Sequence, residues 1–329
     1  MRLFKTCAFR VGGLLFLLLM ALHPPVAQAG YPERAITLIV PFAAGGPTDI
    51  VARIFAEGMS RSLGQLIVVE NVVGAGGTTA ALRAKRAAPD GYTIMMGHMG
   101  THAAAVAFNP SLPYDPQADF TPIGITAGMP VLALIRQGLP AQNLQEFASY
   151  AGVNGAAVKM AHAGIGSVSY TACLMLNATL DIKPTLVPFQ GTGPAMNALI
   201  AGAVDYMCDQ IVSVVPQVRD GTIVALAVAT PERNAALPRV PTAREAGAPA
   251  FNALAWNALF APAKTPRTII DKLNAALRDT MNDPGPHKRL IDLGADIPGA
   301  EARTSEALAA LVKSEIAKWT PIIQAAAQY

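Results

Sequence analysis

Three short segments hold the residue types from which an anion site can be built without a fixed positive side chain. They are AAGGPTD (43–49), GAGGTT (74–79) and GIGSVS (164–169). Each follows an apolar run and opens a stretch with helical spacing. Glycine lets backbone N–H groups approach a ligand closely. The helix N-terminus behind each loop adds partial positive charge, worth about 0.3–1 kcal/mol and up to ~2 when partly buried. The competing reading of each loop is an ordinary tight turn and cap, with Asp49 as an N-cap.

Other chemistries fit these residues less well. Gly74-x-Gly76 meets Thr79 where a dinucleotide fingerprint needs its third glycine, and the dipeptide Gly-Lys of a P-loop is absent. No H-E-x-x-H or G-x-S-x-G segment occurs, so zinc-protease and nucleophile-elbow readings lack support. His98 and His102 stand four apart and could share a metal if helical. No acid or cysteine stands near them, and the alternative is a pair of loop donors to a ligand. Without a nucleophile–base pair or metal cluster, nothing calls for catalysis, a metal or a cofactor. Cys173 and Cys208 have the apolar neighbours Ala172, Leu174 and Met207. Buried free thiols suit those surroundings best; a disulfide is the alternative in an oxidising compartment.

The loops need elements to hold them. Residues 35–40 form a β-branched apolar run, as a buried parallel strand requires. Helical spacing of Ile50, Ile54 and Met59 follows. Strands are expected at 65–70 and 92–96, with a helix over 78–88 between them. This βαβαβ order predicts a doubly wound parallel sheet, whose strand C-termini face a binding crevice. A second set of alternations starts near Met129. Its strands are expected at 131–135, 158–161, 185–189, 206–208 and 223–229. Its helices fall over 144–151, from the 164–169 loop to about 178, and over 193–202. After Phe251 a strand at 258–261 precedes helices only, over 271–281 and 305–327. Those last helices are expected to pack back on the first unit. The chain would then divide into one lobe of residues 30–128 plus 252–329 and another of 129–251. Crossings near Gly128 and Phe251 would make a hinge with a cleft between the lobes.

The first residues point to export. Arg2, Lys5 and Arg10, the apolar run 11–22 and then Ala27-Gln28-Ala29 give the order of a secretory leader cleaved after Ala29. An uncleaved anchor is the alternative, but the run is shorter than the ~20 residues of a spanning helix. Cleavage would leave 22 Lys and Arg against 22 Asp and Glu. That balance argues against nucleic acid or an anionic membrane as partner. The hydrophobic fraction is 52% and the mean hydropathy +0.36. A large buried α/β core accounts for both, since no second stretch nears spanning length.

Seven blocks recur in order along nearly the whole chain after the leader. They are YPERAITLIVPFAAGGPTDIVAR (31–53), VENVVGAGGTTA (69–80), PDGYTIMMG (89–97), YDPQADFTPIG (114–124), ALAVAT (225–230), LPRVPTAREAG (237–247) and DKLNAAL (271–277). Through them the sequence resembles the Bug-type extracytoplasmic receptors of tripartite tricarboxylate transporters. The resemblance implies a type II periplasmic-binding fold: two doubly wound α/β lobes, joined by a two-crossing hinge, that close around a small carboxylate. It assigns the grip on one carboxylate to Gly45, Gly46, Pro47, Thr48 and Asp49 and to Ala75, Gly76 and Gly77. The loop after the third strand adds His98, Thr101 and His102. The second lobe brings Gly166, Ser167, Ser169, Gln190, Gly191, Thr192 and Asp209. Asp209 would either accept from a ligand ammonium or hydroxyl, or cap a turn before the next helix.

The sequence also departs from the family pattern. Gln190 stands where lysine or a similar residue is usual, Tyr170 where histidine is, and His162 where a small residue is common. These positions bear on the ligand's distal end. The implied receptor is a periplasmic monomer that hands its ligand to the membrane subunits of the transporter. Candidate ligands are di- or tricarboxylates, acidic amino acids and aromatic carboxylates. A sensory receptor that presents the ligand to a membrane histidine kinase is the nearest alternative, and a periplasmic enzyme on this fold a more distant one.

Overall fold

The computed structural model describes residues 30–326; the expected leader and its cleavage site lie outside them. β1 (Ile36–Val40) is buried along nearly its whole length, which its run of Ile, Leu and Val allows. It pairs in parallel with β2 (Ile67–Asn71) and β3 (Thr93–His98). α1 (Pro47–Leu63) and α2 (Thr78–Lys85) connect them. A short α3 (Ala105–Phe108) follows β3. β9 (Leu254–Pro262) lies antiparallel to β3.

β4 (Phe120–Arg136) joins the two halves of the molecule. From Phe120 to Pro130 it pairs with β9. From Val131 onward it lies between β7 (Tyr206–Gln210) and β8 (Ile223–Val228). β5 (Lys159–His162) and β6 (Thr185–Pro188) extend this second half in parallel. The strand expected at 131–135 is therefore the far end of a longer one. Pro122, Gly124, Gly128 and Pro130 read as breaks in a strand pattern. Here the ladder absorbs the first two of them by shifting register between Pro122 and Gly124 and again between Ile125 and Ala127, as bulges do.

The second half carries α4 (Leu144–Asn154), α5 (Val168–Leu180), α6 (Thr192–Ile200) and α7 (Ile211–Arg219). Cys173 of α5 and Cys208 of β7 form a disulfide, with Cα atoms 5.4 Å apart. This corrects the free-thiol expectation. Apolar neighbours signal burial, and both residues are fully buried. Burial alone does not separate a thiol from a disulfide; the packing of α5 on β7 brings the two sulfurs together.

The last helices, α8 (Arg267–Asn282), α9 (Pro284–Asp292) and α10 (Ser305–Ala326), return to the first half. Gly58 of α1 leaves room for Thr280 of α8. Ser62 Oγ donates to Asp279 at 2.7 Å and Arg61 pairs with Asp283 at 2.8 Å. Trp256 on β9 and Trp319 on α10 both donate an indole N–H to Glu315, at 3.2 and 2.9 Å. All three side chains are buried.

Candidate functional site

Strand ends β1, β3, β5, β6 and β7 point into a cleft between the two halves. It has two chambers that share Phe42 and Ala163 as walls. The inner one, of about 20 Å³, is bordered by Gly46, Pro47, Thr48, Asp49, His98, Ser167, Ser169, Thr192 and Gln210. Three helix N-termini meet there. α1 starts at Pro47 behind the N-cap Gly46, because proline is pre-set for the first helical position. Asp49 therefore lies inside the first turn and is not the cap. Its carboxylate accepts from Gly45 N–H at 3.0 Å, from Arg53 at 2.9 and 3.0 Å, and from Asn71 Nδ2 at 3.0 Å. Burial works to raise its pKa, but the bonds from Arg53, Gly45 and Asn71 outweigh burial and hold it below the usual range. Asp49 thus braces the loop that presents Gly46 and Thr48.

α5 starts behind Ser167, whose Oγ accepts from Tyr170 N–H at 3.2 Å. Ser167 Oγ also meets Ser169 Oγ at 3.1 Å, and Ser169 Oγ accepts from Ala163 N–H at 3.0 Å. α6 starts at Thr192 behind Gly191. His98 closes β3, and its Nδ1 accepts from Gly100 N–H at 2.8 Å and Thr101 N–H at 3.3 Å. Its Nε2 therefore carries the proton and can only donate. Burial keeps the ring neutral, with a pKa of about 3. His162 closes β5 in the same way: Nδ1 accepts from Gly164 N–H at 3.0 Å, and burial lowers its pKa. Each half thus carries a His-x-Gly turn that offers a neutral N–H donor to the cleft.

The outer chamber, of about 810 Å³, is bordered by Ala75, Gly76, Gly77, Gly166, His162, Tyr170 and Gln190, with Phe42, Phe108, Leu112, Ile165, Leu186 and Phe189 as apolar walls. The two halves touch beside it. Ala43 N–H donates to the Gln190 carbonyl at 3.1 Å. Gly76 has φ +62°, and a Cβ there would sit 1.9 Å from the Ile165 carbonyl oxygen. Both the conformation and the close approach require glycine.

Five expected site residues border neither chamber: Gly45, Thr101, His102, Gly191 and Asp209. Gly45, at φ +83°, forms the turn that Asp49 holds. Gly191 packs against Ala43 across the halves. Thr101 Oγ1 lies 2.9 Å from His102 Nδ1, and the His102 ring stacks on Phe260 with centroids 3.8 Å apart. Burial, then the neighbouring His98, lowers the His102 pKa to about 3. Asp209 accepts from Gln210 N–H at 2.8 Å and Ser213 Oγ at 2.7 Å. Burial outweighs the bonds from Ser213, Gln210 and Thr192 and pushes its pKa up to about 7. Sequence reasoning missed Gln210, Phe42, Phe108, Leu186 and Phe189. Gln210 is only 4% exposed, and its Oε1 has no hydrogen-bond partner among the described residues. Its place beside Asp209 at a strand end was the one available signal.

A family model described as the tripartite tricarboxylate transporter family receptor, TctC, matches residues 51–327. The chain belongs to this receptor family. Among solved structures, the receptor is similar to MatC from Rhodopseudomonas palustris, determined with bound malate. The two are 52% identical, the match covers 89% of this chain and all of MatC, and the TM-score is 0.87. It is 38% identical to the periplasmic binding protein BugD over 90% of this chain and 99% of BugD, at a TM-score of 0.88. A second R. palustris protein, determined with adipate, is 30% identical over 91% of this chain and 99% of its own, at 0.86. The receptor therefore has the α/β fold of the periplasmic solute-binding proteins, as the blocks of sequence implied. No helix among its described residues is long and apolar enough to cross a membrane.

Proposed function

We propose that this receptor captures a small carboxylate in the periplasm and delivers it to the membrane subunits of a tripartite tricarboxylate-type transporter. One observation carries the reading. Three helix N-termini and the neutral donor His98 converge on an inner chamber that no lysine or arginine borders among the described residues. Such a site stabilises an anion through N–H groups and helix dipoles alone. The loop of Gly46 to Asp49 and the loop of Ala75 to Gly77 hold one carboxylate. Gly45, Gly191 and Asp209 shape the walls behind them. Residues 30–128 plus 252–329 form one jaw and 129–251 the other. The malate and adipate found with the two R. palustris relatives support a carboxylate as the cargo. The protein acts as a monomer and releases its ligand unchanged.

Native mass spectrometry of the protein purified from its periplasm tests this directly. A carboxylic acid bound one to one is the expected result. A different class of copurifying molecule, together with no thermal shift from any of a broad set of carboxylates, would overturn the proposal.

A further inference from the structure

The outer chamber differs chemically from the inner one. Among the described residues, no Asp, Glu, Lys or Arg borders it. Its polar side chains are neutral: the His162 imidazole, the Tyr170 and Thr78 hydroxyls, and the Gln190 and Asn109 amides. The rest of the wall is apolar, and the rings of Phe108 and Tyr170 meet edge to face at 5.3 Å. On the rim, Ile165 is 61% and Leu186 40% exposed. The ammonium of Lys85, on a neighbouring groove, is already occupied by Asp119 at 2.8 Å and the Pro113 carbonyl at 3.2 Å. A second carboxylate entering this chamber would lose water without gaining a cation, which is costly. An apolar body would instead cover surface that is otherwise wet.

We infer that the outer chamber is a subsite for an uncharged, apolar ligand body, so that the ligand is a monocarboxylate with an aliphatic or aromatic body. Compact or doubly charged acids fit it less well. This rests on the carboxylate-receptor reading: the loops of Gly46 to Asp49 and of Ala75 to Gly77 take the carboxylate, and the rest of the outer chamber takes what is attached to it. His162, Tyr170 and Gln190 can then read a hydroxyl or carbonyl on that body. All three border this one chamber.

Calorimetry on the ligand-stripped protein decides it with matched acids. Hexanoate and adipate have the same length and differ by one carboxylate; phenylacetate and malate extend the comparison. Hexanoate and phenylacetate are expected to bind roughly 10-fold tighter than adipate or malate. Phe189→Ala should weaken hexanoate by about 10-fold, as loss of a buried apolar wall does. If that variant does not fold, Leu186→Ala on the exposed rim tests the same wall. Gln190→Lys, at an exposed position, should reverse the hexanoate–adipate preference by supplying the missing cation. Adipate or malate binding as tightly as hexanoate in the natural protein would overturn the inference and leave the receptor reading intact. If none of the four acids binds, nor any wider set of carboxylates, the receptor reading falls and takes the inference with it.

Discussion

A carboxyl as deeply buried as Asp209 loses its hydration and recovers part of it from Gln210 N–H, Ser213 and Thr192. Its folded pKa, about 7, exceeds the ordinary value of 3.8, so the native state holds a proton that the unfolded chain has released. The stability this contributes is present below about pH 4 and is lost as pH rises through 7. His98 and His102 act the other way. Their folded pKa values of about 3 lie below the ordinary 6.5, so their contribution is present above pH 6.5 and is lost as pH falls toward 3. The two effects overlap, and a variant is needed to separate them. Asp209→Asn keeps the shape without the charge. Its Tm relative to the natural protein should rise between pH 4 and pH 8, by on the order of 5 °C. A Tm difference that stays flat with pH would mean that Asp209 is not protonated in the native state.

The disulfide ties α5, which presents Ser167 and Ser169, to β7, which presents Gln210. The cysteines are 35 residues apart in sequence, and closing a loop of that length is worth about 3–4 kcal/mol. Cys173→Ala with Cys208→Ala should lower the free energy of urea unfolding by that amount. An unchanged midpoint would show that packing alone seats α5. The helix starts and the first sheet were legible in the sequence. Buried parallel strands read as continuous β-branched runs, and Gly-Gly-Pro marks where α1 begins. β4 was legible only in its second half, because its prolines and glycines mimic chain breaks. The apolar walls of the outer chamber were not legible, since an apolar residue facing a cavity looks the same in sequence as one facing the core. Asp209 and Gln210 show the limit most sharply. Successive strand residues face opposite sides, so one of the two borders the cleft and the other a helix. Composition cannot say which.

At the scale of the whole molecule, the two halves already touch. Ala43 N–H reaches the Gln190 carbonyl, Gly76 lies against Ile165, and a Cβ on Gly193 would sit 2.6 Å from the Ala44 oxygen. α1 also packs on α7, and Gly294 lies against the Ile211 side chain, while β4 runs unbroken from one half into the other. A ligand bound with micromolar affinity supplies about −8 kcal/mol, ample to bias an opening that costs a few kcal/mol. Small-angle scattering should therefore record a smaller radius of gyration with saturating ligand than without. An equal radius, with binding proven independently, would point to a rigid pocket. The contact between the two indoles and Glu315 has a practical corollary. The chain has only two tryptophans, and neither borders a chamber. Trp256 sits opposite Gly128 on β4. Intrinsic emission is thus deaf to the ligand itself and tuned to the seam between β9 and α10. A change in that emission on rapid mixing with ligand would time a rearrangement of β9 against α10 inside the first half, with no dye attached.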